Sequence, residues 1–170
     1  MVNFTFFGTI KVDSIEKKLD LLDWHEYTFR QTKFNVHRET LTVPLLWNEV
    51  PAEQEVSHKW YTLFEDELRA IADILDVHIH TALLIKLPAG KSIPAHVDAA
   101  PHFKLYRRIH IPIVTNPKCI FSVGGESLHM KQGEMWEIDN DNKMHSVYNH
   151  GDEDRVHLLI DVKDHDKKNL

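Results

Sequence analysis

The hydrophobic positions of this chain follow two different periods, and the change falls near residue 77. Before it, Trp60, Phe64, Leu68, Ile71 and Leu75 recur three or four residues apart, which predicts a helix between about Glu53 and Leu75 that packs one apolar face on the outside of a sheet. Upstream, Asp13-Ser14-Ile15-Glu16 has the spacing of a capping box and predicts a helix running through Leu22. From Val77 onward the pattern becomes short alternating or apolar runs: Val77 to Leu87, Arg107 to Thr115, Ile120 to Val123, Ser127 to Lys131, Met135 to Ile138, Ser146 to Asn149 and Arg155 to Val162. Gly90, Pro94, Gly124-Gly125, Gly133 and Asn140-Asp141-Asn142 mark the turns between them. The expected fold class is mainly β with flanking helices, the strands closing into one sheet structure. The expected organisation is a single domain over 1–170, with a mixed helical region at 1–76, a β core at 77–162 and a frayed tail from Lys163 to Leu170.

Composition narrows the class. With 170 residues, 42% of them hydrophobic and 27% charged, the chain is long enough to bury one sizeable core. A net charge of -6 argues against a broad nucleic-acid surface, and the basic run Lys104 to Arg108 reads as the start of a strand. One cysteine, Cys119, excludes an intramolecular disulfide and fits a reducing compartment; the first residues lack the plan of a signal peptide, and no stretch reaches membrane-spanning length. The expectation is a soluble, cytoplasmic protein.

Chemistry enters at His96-Val97-Asp98. Side chains two apart on an extended segment point to one side, so His96 and Asp98 converge, and His145 is the best candidate for a third ligand. Two imidazoles and one carboxylate make the facial triad of an iron(II) oxygenase, which leaves metal positions open, whereas zinc usually takes a closed tetrahedral set. If the polar run from His150 to Asp154 reverses the chain, His145 and Arg155 stand opposite each other across a hairpin. The Arg155 guanidinium then extends past the metal and grips a distal carboxylate through two parallel hydrogen bonds, and 2-oxoglutarate has that shape. An isolated His-x-Asp is weak in a chain with 13 histidines; the ordered addition of His145 and Arg155 is what strengthens it.

The segments LLIKLPAGKSIPAHVD, RRIHIPIVTNP, GEMWEID and HSVYNHGDEDRVHLLID, in that order, resemble the aspartyl/asparaginyl β-hydroxylase family of iron(II)- and 2-oxoglutarate-dependent oxygenases. The resemblance runs from about Ala82 to Asp161. It implies a double-stranded β-helix of jelly-roll, cupin-like type, iron ligation by His96 and His145, 2-oxoglutarate binding by Arg155, and cosubstrate contacts from Arg108 and His110. Asp98 sets the chain apart from animal members, which lack a carboxylate there. Where some relatives place a hydroxyl before the first His, this chain reads Leu83-Leu84-Ile85. The family's reaction with dioxygen hydroxylates an unactivated C–H bond, and its substrates include peptidyl Asp or Asn, free amino acids such as proline, and lipid acyl chains. The small size favours a small molecule or a flexible peptide.

Other polar residues have plainer readings. His78-Ile79-His80 is expected to line or coat the barrel, Asn149 to brace the turn after it, and His157 to share a face with Arg155 while Leu158 and Ile160 pack the other side. His102 and Lys104 fall where a substrate might enter. Two other classes stay open: a metal-bound cupin, either an isomerase or a dioxygenase that uses no 2-oxoglutarate, and a non-catalytic ligand-binding barrel. The first keeps the histidines without needing Arg155, and the second holds no stoichiometric metal.

Overall fold

In the computed structural model, which describes residues 2–47, 51–98 and 101–165 and only the backbone of 51–58, two antiparallel sheets lie over one another. In chain order the strands are β1 (Phe4–Thr9), β2 (Leu41–Trp47), β3 (Val77–Leu87), β4 (Ser92–His96), β5 (Arg107–Val114), β6 (Cys119–Val123), β7 (Glu126–Leu128), β8 (Glu134–Ile138), β9 (His145–Asn149) and β10 (Arg155–Asp164). The larger sheet has the order β1-β8-β5-β10-β3-β2 and the smaller β4-β9-β6-β7. Apart from the β6–β7 hairpin, the chain from β3 onward crosses from one sheet to the other at every connection. That winding sets β8-β5-β10-β3 against β4-β9-β6-β7, the double-stranded β-helix of the cupin class, with β1 and β2 extending the larger sheet at its two edges. Leu87, Ile93, Phe121, Val123, Ile138 and Val147 meet between the sheets.

Alternation sorts the larger sheet into two faces. Leu84 on β3, Ile109, Ile111 and Ile113 on β5, and Leu158 and Ile160 on β10 turn outward. There they meet α3 (Pro51–Leu75), which contributes Trp60, Phe64, Leu68 and Ile71, the stripe expected to pack on the outside of a sheet. The alternate residues, Arg108 and His110 on β5 and Arg155, His157, Leu159 and Asp161 on β10, face the interior of the barrel. The register of β3 slips at His80: Asp161 pairs with Thr81, but Val162 pairs with Ile79. This bulge lets Val77 and Ile79 join the helix-covered core while Thr81, Leu83 and Ile85 turn inward. α3 ends at Leu75, and the next residue, Asp76, has a φ of +52° in the left-handed region that Asp tolerates better than most residues.

Several expectations are corrected. The N-terminal helix α1 (Asp13–Lys18) has Val12 at its N-cap with no side-chain cap bond, so the capping box does not form, and a 3₁₀ turn over Leu19–Leu21 replaces the last turn. A further helix, α2 (Phe29–Lys33), and strands β1 and β2 carried no clear pattern: β1 is largely exposed on both faces, and Pro44 interrupts β2. Pro44 is tolerated because β2 is an edge strand. Pro94 lies inside β4, also an edge, rather than in a turn. Of the tail expected to fray, Lys163 and Asp164 continue β10, and 166–170 lie outside the described residues.

Leu84 is fully buried between the larger sheet and the helices. Leu84→Ala is expected to destabilise the fold by about 2–5 kcal/mol, read as a lower urea midpoint with an unchanged slope.

Candidate functional site

His96 closes β4 and His145 opens β9, and the two are Cα partners in the smaller sheet, with ring centroids 4.2 Å apart. Asp98 lies two residues beyond the end of β4, so strand alternation alone does not aim it. Its backbone N–H donates to Asn140 O at 2.9 Å, and its Oδ2 accepts from Asn140 Nδ2 at 2.8 Å and Arg108 Nη1 at 2.7 Å. Those donors leave Oδ1 turned to the histidines, 3.5 Å from His96 Nε2. His96, Asp98 and His145 offer ligand atoms that all lie within 4.8 Å of one another.

The imidazoles are prepared in the same sense. A carbonyl can only accept, so His96 Nδ1 donates to Pro94 O at 2.8 Å and His145 Nδ1 donates more weakly to Lys143 O at 3.4 Å. Each ring then presents the lone pair of Nε2, and His96 Nε2 is buried without a hydrogen-bond partner. Burial lowers the pKa of His145 to about 4, so it is neutral near pH 7. This donor set of two imidazoles and one carboxylate suits a divalent metal with open positions.

Arg155 reaches the same space by a different route from the one expected. No hairpin joins β9 and β10: β9 pairs with β4 and β6 in one sheet, and β10 pairs with β3 and β5 in the other. Arg155 is the Cα partner of Leu87, not of His145. The two side chains meet across the barrel, lining one narrow chamber of about 30 Å³ with His96, His110, Phe121 and His157. The connection between them is braced by Asn149, whose side chain donates to Leu87 O and Glu153 O and accepts from the Gly151 N–H.

Arg155 is 2% exposed, and its Nη2 donates to His157 Nδ1 at 2.7 Å. No carboxylate among the described residues pairs with it, and burial lowers its pKa to about 10. His110 is also buried, with neither ring nitrogen hydrogen-bonded, and burial together with Arg155 holds its pKa well below the usual histidine value. An uncompensated buried guanidinium is costly unless an anion completes it. At about 30 Å³ the chamber is smaller than a five-carbon diacid, so occupancy requires lining side chains to turn outward.

Arg108, by contrast, is compensated. Nε and Nη2 donate to the two oxygens of Asp161 at 2.7 and 2.9 Å, and Nη1 donates to Asp98. His102 Nε2 lies 2.9 Å from Asp161 Oδ2. Burial pushes the Asp161 carboxyl upward, but Arg108 prevails and holds it well below the usual range. Lys104 ends the 3₁₀ turn Pro101–Lys104 on the surface, while His80 stacks on Tyr106 with centroids 4.1 Å apart and His78 pairs with His165.

Four participants had no role in the sequence reading: Asp161, Asn140, Arg30 and His37. Asp161 was reachable, since it continues the period-two face that begins Arg155, His157. Asn140 lay in a segment read only as a turn. Arg30 on α2 and His37 in the 3₁₀ turn Asn35–His37 belong to irregular chain with no period to follow. They line the narrow chamber and also border a second, outer cavity of about 430 Å³, and the two cavities share His96, Asp98 and Arg108 as well.

These features define a double-stranded β-helix of the cupin class that brings two histidines and one carboxylate into a single cluster. Residues 9–165 match the Aspartyl/Asparaginyl beta-hydroxylase family, and the chain belongs to that family. No curated protein is significantly similar in sequence. Among solved structures, an oxidoreductase of the 2OG-Fe(II) oxygenase family from Burkholderia pseudomallei is 14% identical, with a TM-score of 0.48 over 74% of this chain and 67% of that one. A predicted oxalate decarboxylase from Thermotoga maritima is 20% identical, with a TM-score of 0.40 over 55% of this chain and 71% of that one. AerE from Microcystis aeruginosa is 19% identical, with a TM-score of 0.39 over 49% of this chain and only 36% of that one. Among the described residues no helix is long and apolar enough to cross a membrane.

Asp161→Asn leaves Arg108 short of one buried counter-charge, and a loss of about 3–5 kcal/mol at pH 7 is expected in urea unfolding. Because the folded pKa of Asp161 is depressed, its contribution is complete above the unfolded value of about 3.9 and is lost as pH falls toward the folded one. The gap between wild type and variant therefore narrows below about pH 4.

Proposed function

We propose that this chain is an iron(II)- and 2-oxoglutarate-dependent dioxygenase that hydroxylates an unactivated C–H bond of an amino acid or a peptidyl residue. The observation that carries the reading is Arg155: a buried guanidinium without a carboxylate partner, at the far end of the chamber that opens on His96, Asp98 and His145. Family membership supports it independently. A metal-dependent cupin enzyme that uses no 2-oxoglutarate leaves that guanidinium without an occupant.

In this reading His96, His145 and Asp98 hold the metal through Nε2, Nε2 and Oδ1. Iron(II) with 2-oxoglutarate supplies the activation of dioxygen, with succinate and carbon dioxide as coproducts. Arg155 exchanges its bond to His157 for two to the distal carboxylate of the cosubstrate, which fixes the cosubstrate's direction along the barrel. His110, neutral and with both ring nitrogens unused, is placed to accept or donate one hydrogen bond to the cosubstrate near the metal. Arg108 acts through Asp98: it withdraws Oδ2 into its own clamp and keeps Oδ1 free for the metal. Ile85, Ile93, Phe121 and Val147 exclude water between the two ends, which strengthens every polar contact there.

Anaerobic titration with iron(II) and then 2-oxoglutarate tests these roles without knowledge of the substrate. Wild type is expected to take up one equivalent of iron and to develop the visible absorption of a metal-chelated keto acid. Arg155→Gln keeps the iron stoichiometry and loses about 10²-fold or more in 2-oxoglutarate affinity. Asp98→Ala and His145→Ala no longer retain iron. Equal 2-oxoglutarate affinity in wild type and Arg155→Gln would remove the cosubstrate role and return the protein to the metal-dependent cupins.

A further inference from the structure

The outer cavity holds a second uncommitted cation. Arg30 is 7% exposed; its Nη2 donates to His37 Nε2 at 3.0 Å, while its Nη1 is buried with no hydrogen-bond partner. Because the guanidinium must be the donor, His37 accepts through the lone pair of Nε2 and brings no negative charge to Arg30. That contact therefore leaves the charge of Arg30 unneutralised. The other cation lining the cavity, Arg108, is clamped by Asp98 and Asp161, so neither carboxylate is available to Arg30.

The rest of the lining is mainly apolar. Phe34, Val36, Trp47, Leu83 and Phe103 enclose about 430 Å³. The His37 ring stands edge-on to His96 with centroids 5.3 Å apart, so one imidazole separates Arg30 from the metal cluster. Resting on the oxygenase reading for the location of the chemistry, we infer that the outer cavity binds the substrate as a carboxylate with a branched aliphatic or aromatic body, its carboxylate on Arg30 and its apolar part against Phe34, Trp47 and Leu83. The oxidised carbon then lies a few bonds from the carboxylate, because Arg30 and His96 are only one ring apart. A neutral ligand of the same shape leaves Arg30 buried and unpaired, and is rejected on that account.

Calorimetry without oxygen, on the full chain loaded with iron(II) and 2-oxoglutarate, tests this with two matched pairs: 4-methylpentanoate against 4-methylpentanamide, and 3-phenylpropanoate against 3-phenylpropanamide. At least one acid is expected to bind about tenfold or more tightly than its amide. Arg30→Gln removes that preference and leaves 2-oxoglutarate affinity unchanged; Arg30→Lys retains part of it. Equal binding of acid and amide, no saturable binding of either acid, or a preference that survives in Arg30→Gln each overturns the proposal. So does a loss of 2-oxoglutarate affinity in Arg30→Gln, which assigns Arg30 to the cosubstrate instead. If 2-oxoglutarate itself does not bind, the same comparison on the chain loaded with iron alone still decides whether Arg30 selects acids, separating this inference from the oxygenase reading.

Discussion

Burying the guanidinium of Arg108 beneath two carboxylates is the constraint around which the barrel's interior is arranged. A charge so far from water is tolerated only when its hydrogen bonds are met, and Arg108 meets three of them from different parts of the chain: two at Asp161 on β10 and one at Asp98 beyond β4. The ion pair thus ties the central strands of the larger sheet to the segment that leaves the smaller one. It also decides which oxygen of Asp98 points at the histidines. Charge compensation and the orientation of Asp98 are the same set of bonds, so the electrostatics of the core cannot relax without the His96–Asp98–His145 cluster changing shape.

Against that satisfied arginine, the two unsatisfied ones acquire meaning. Arg108, Arg155 and Arg30 are all buried to a similar degree, and burial lowers the pKa of Arg155 and of Arg30 to about 10, whereas at Arg108 the same burial is outweighed by Asp161 and Asp98, which raise it. The protein's own carboxylates neutralise Arg108 and leave the other two open. The result is a His96–Asp98–His145 cluster with two such cations near it: Arg155 in the narrow chamber, and Arg30, which lines both that chamber and the roomy outer cavity.

Much of this was legible in the sequence because it depends on short-range periodicity. The strands of the core from Val77 onward other than β4, which Pro94 made read as a turn, the apolar stripe of the long helix and the sharing of one face by Arg155 and His157 all follow from a period of two or 3.6. The convergence of His96, Asp98 and His145 was legible, although Asp98 is aimed by Asn140 and Arg108 rather than by strand alternation. What failed was the step from neighbourhood in sequence to pairing in space. His145 and Arg155 were read as hairpin partners because a polar turn separates them, but in a double-stranded β-helix that turn carries the chain from one sheet to the other. β2 was hidden by Pro44 and its edge position, and Arg30 and His37 by short irregular segments whose order comes from packing against the barrel mouth. Such residues leave no period to detect.

Pro94 shows how closely site and scaffold are joined. It sits in β4, the outer strand of the smaller sheet, where exposed backbone groups invite another chain to pair. Proline has no N–H to offer, and the carbonyl of Pro94 is already occupied by His96 Nδ1. This position offers no donor to an intermolecular ladder and its acceptor is already engaged once, while the register shift between Ile93 and His96 breaks the regular edge. The residue that fixes the tautomer of a candidate metal ligand therefore also guards the barrel against edge-to-edge aggregation, and mutational pressure on solubility at this edge acts directly on the geometry of the centre.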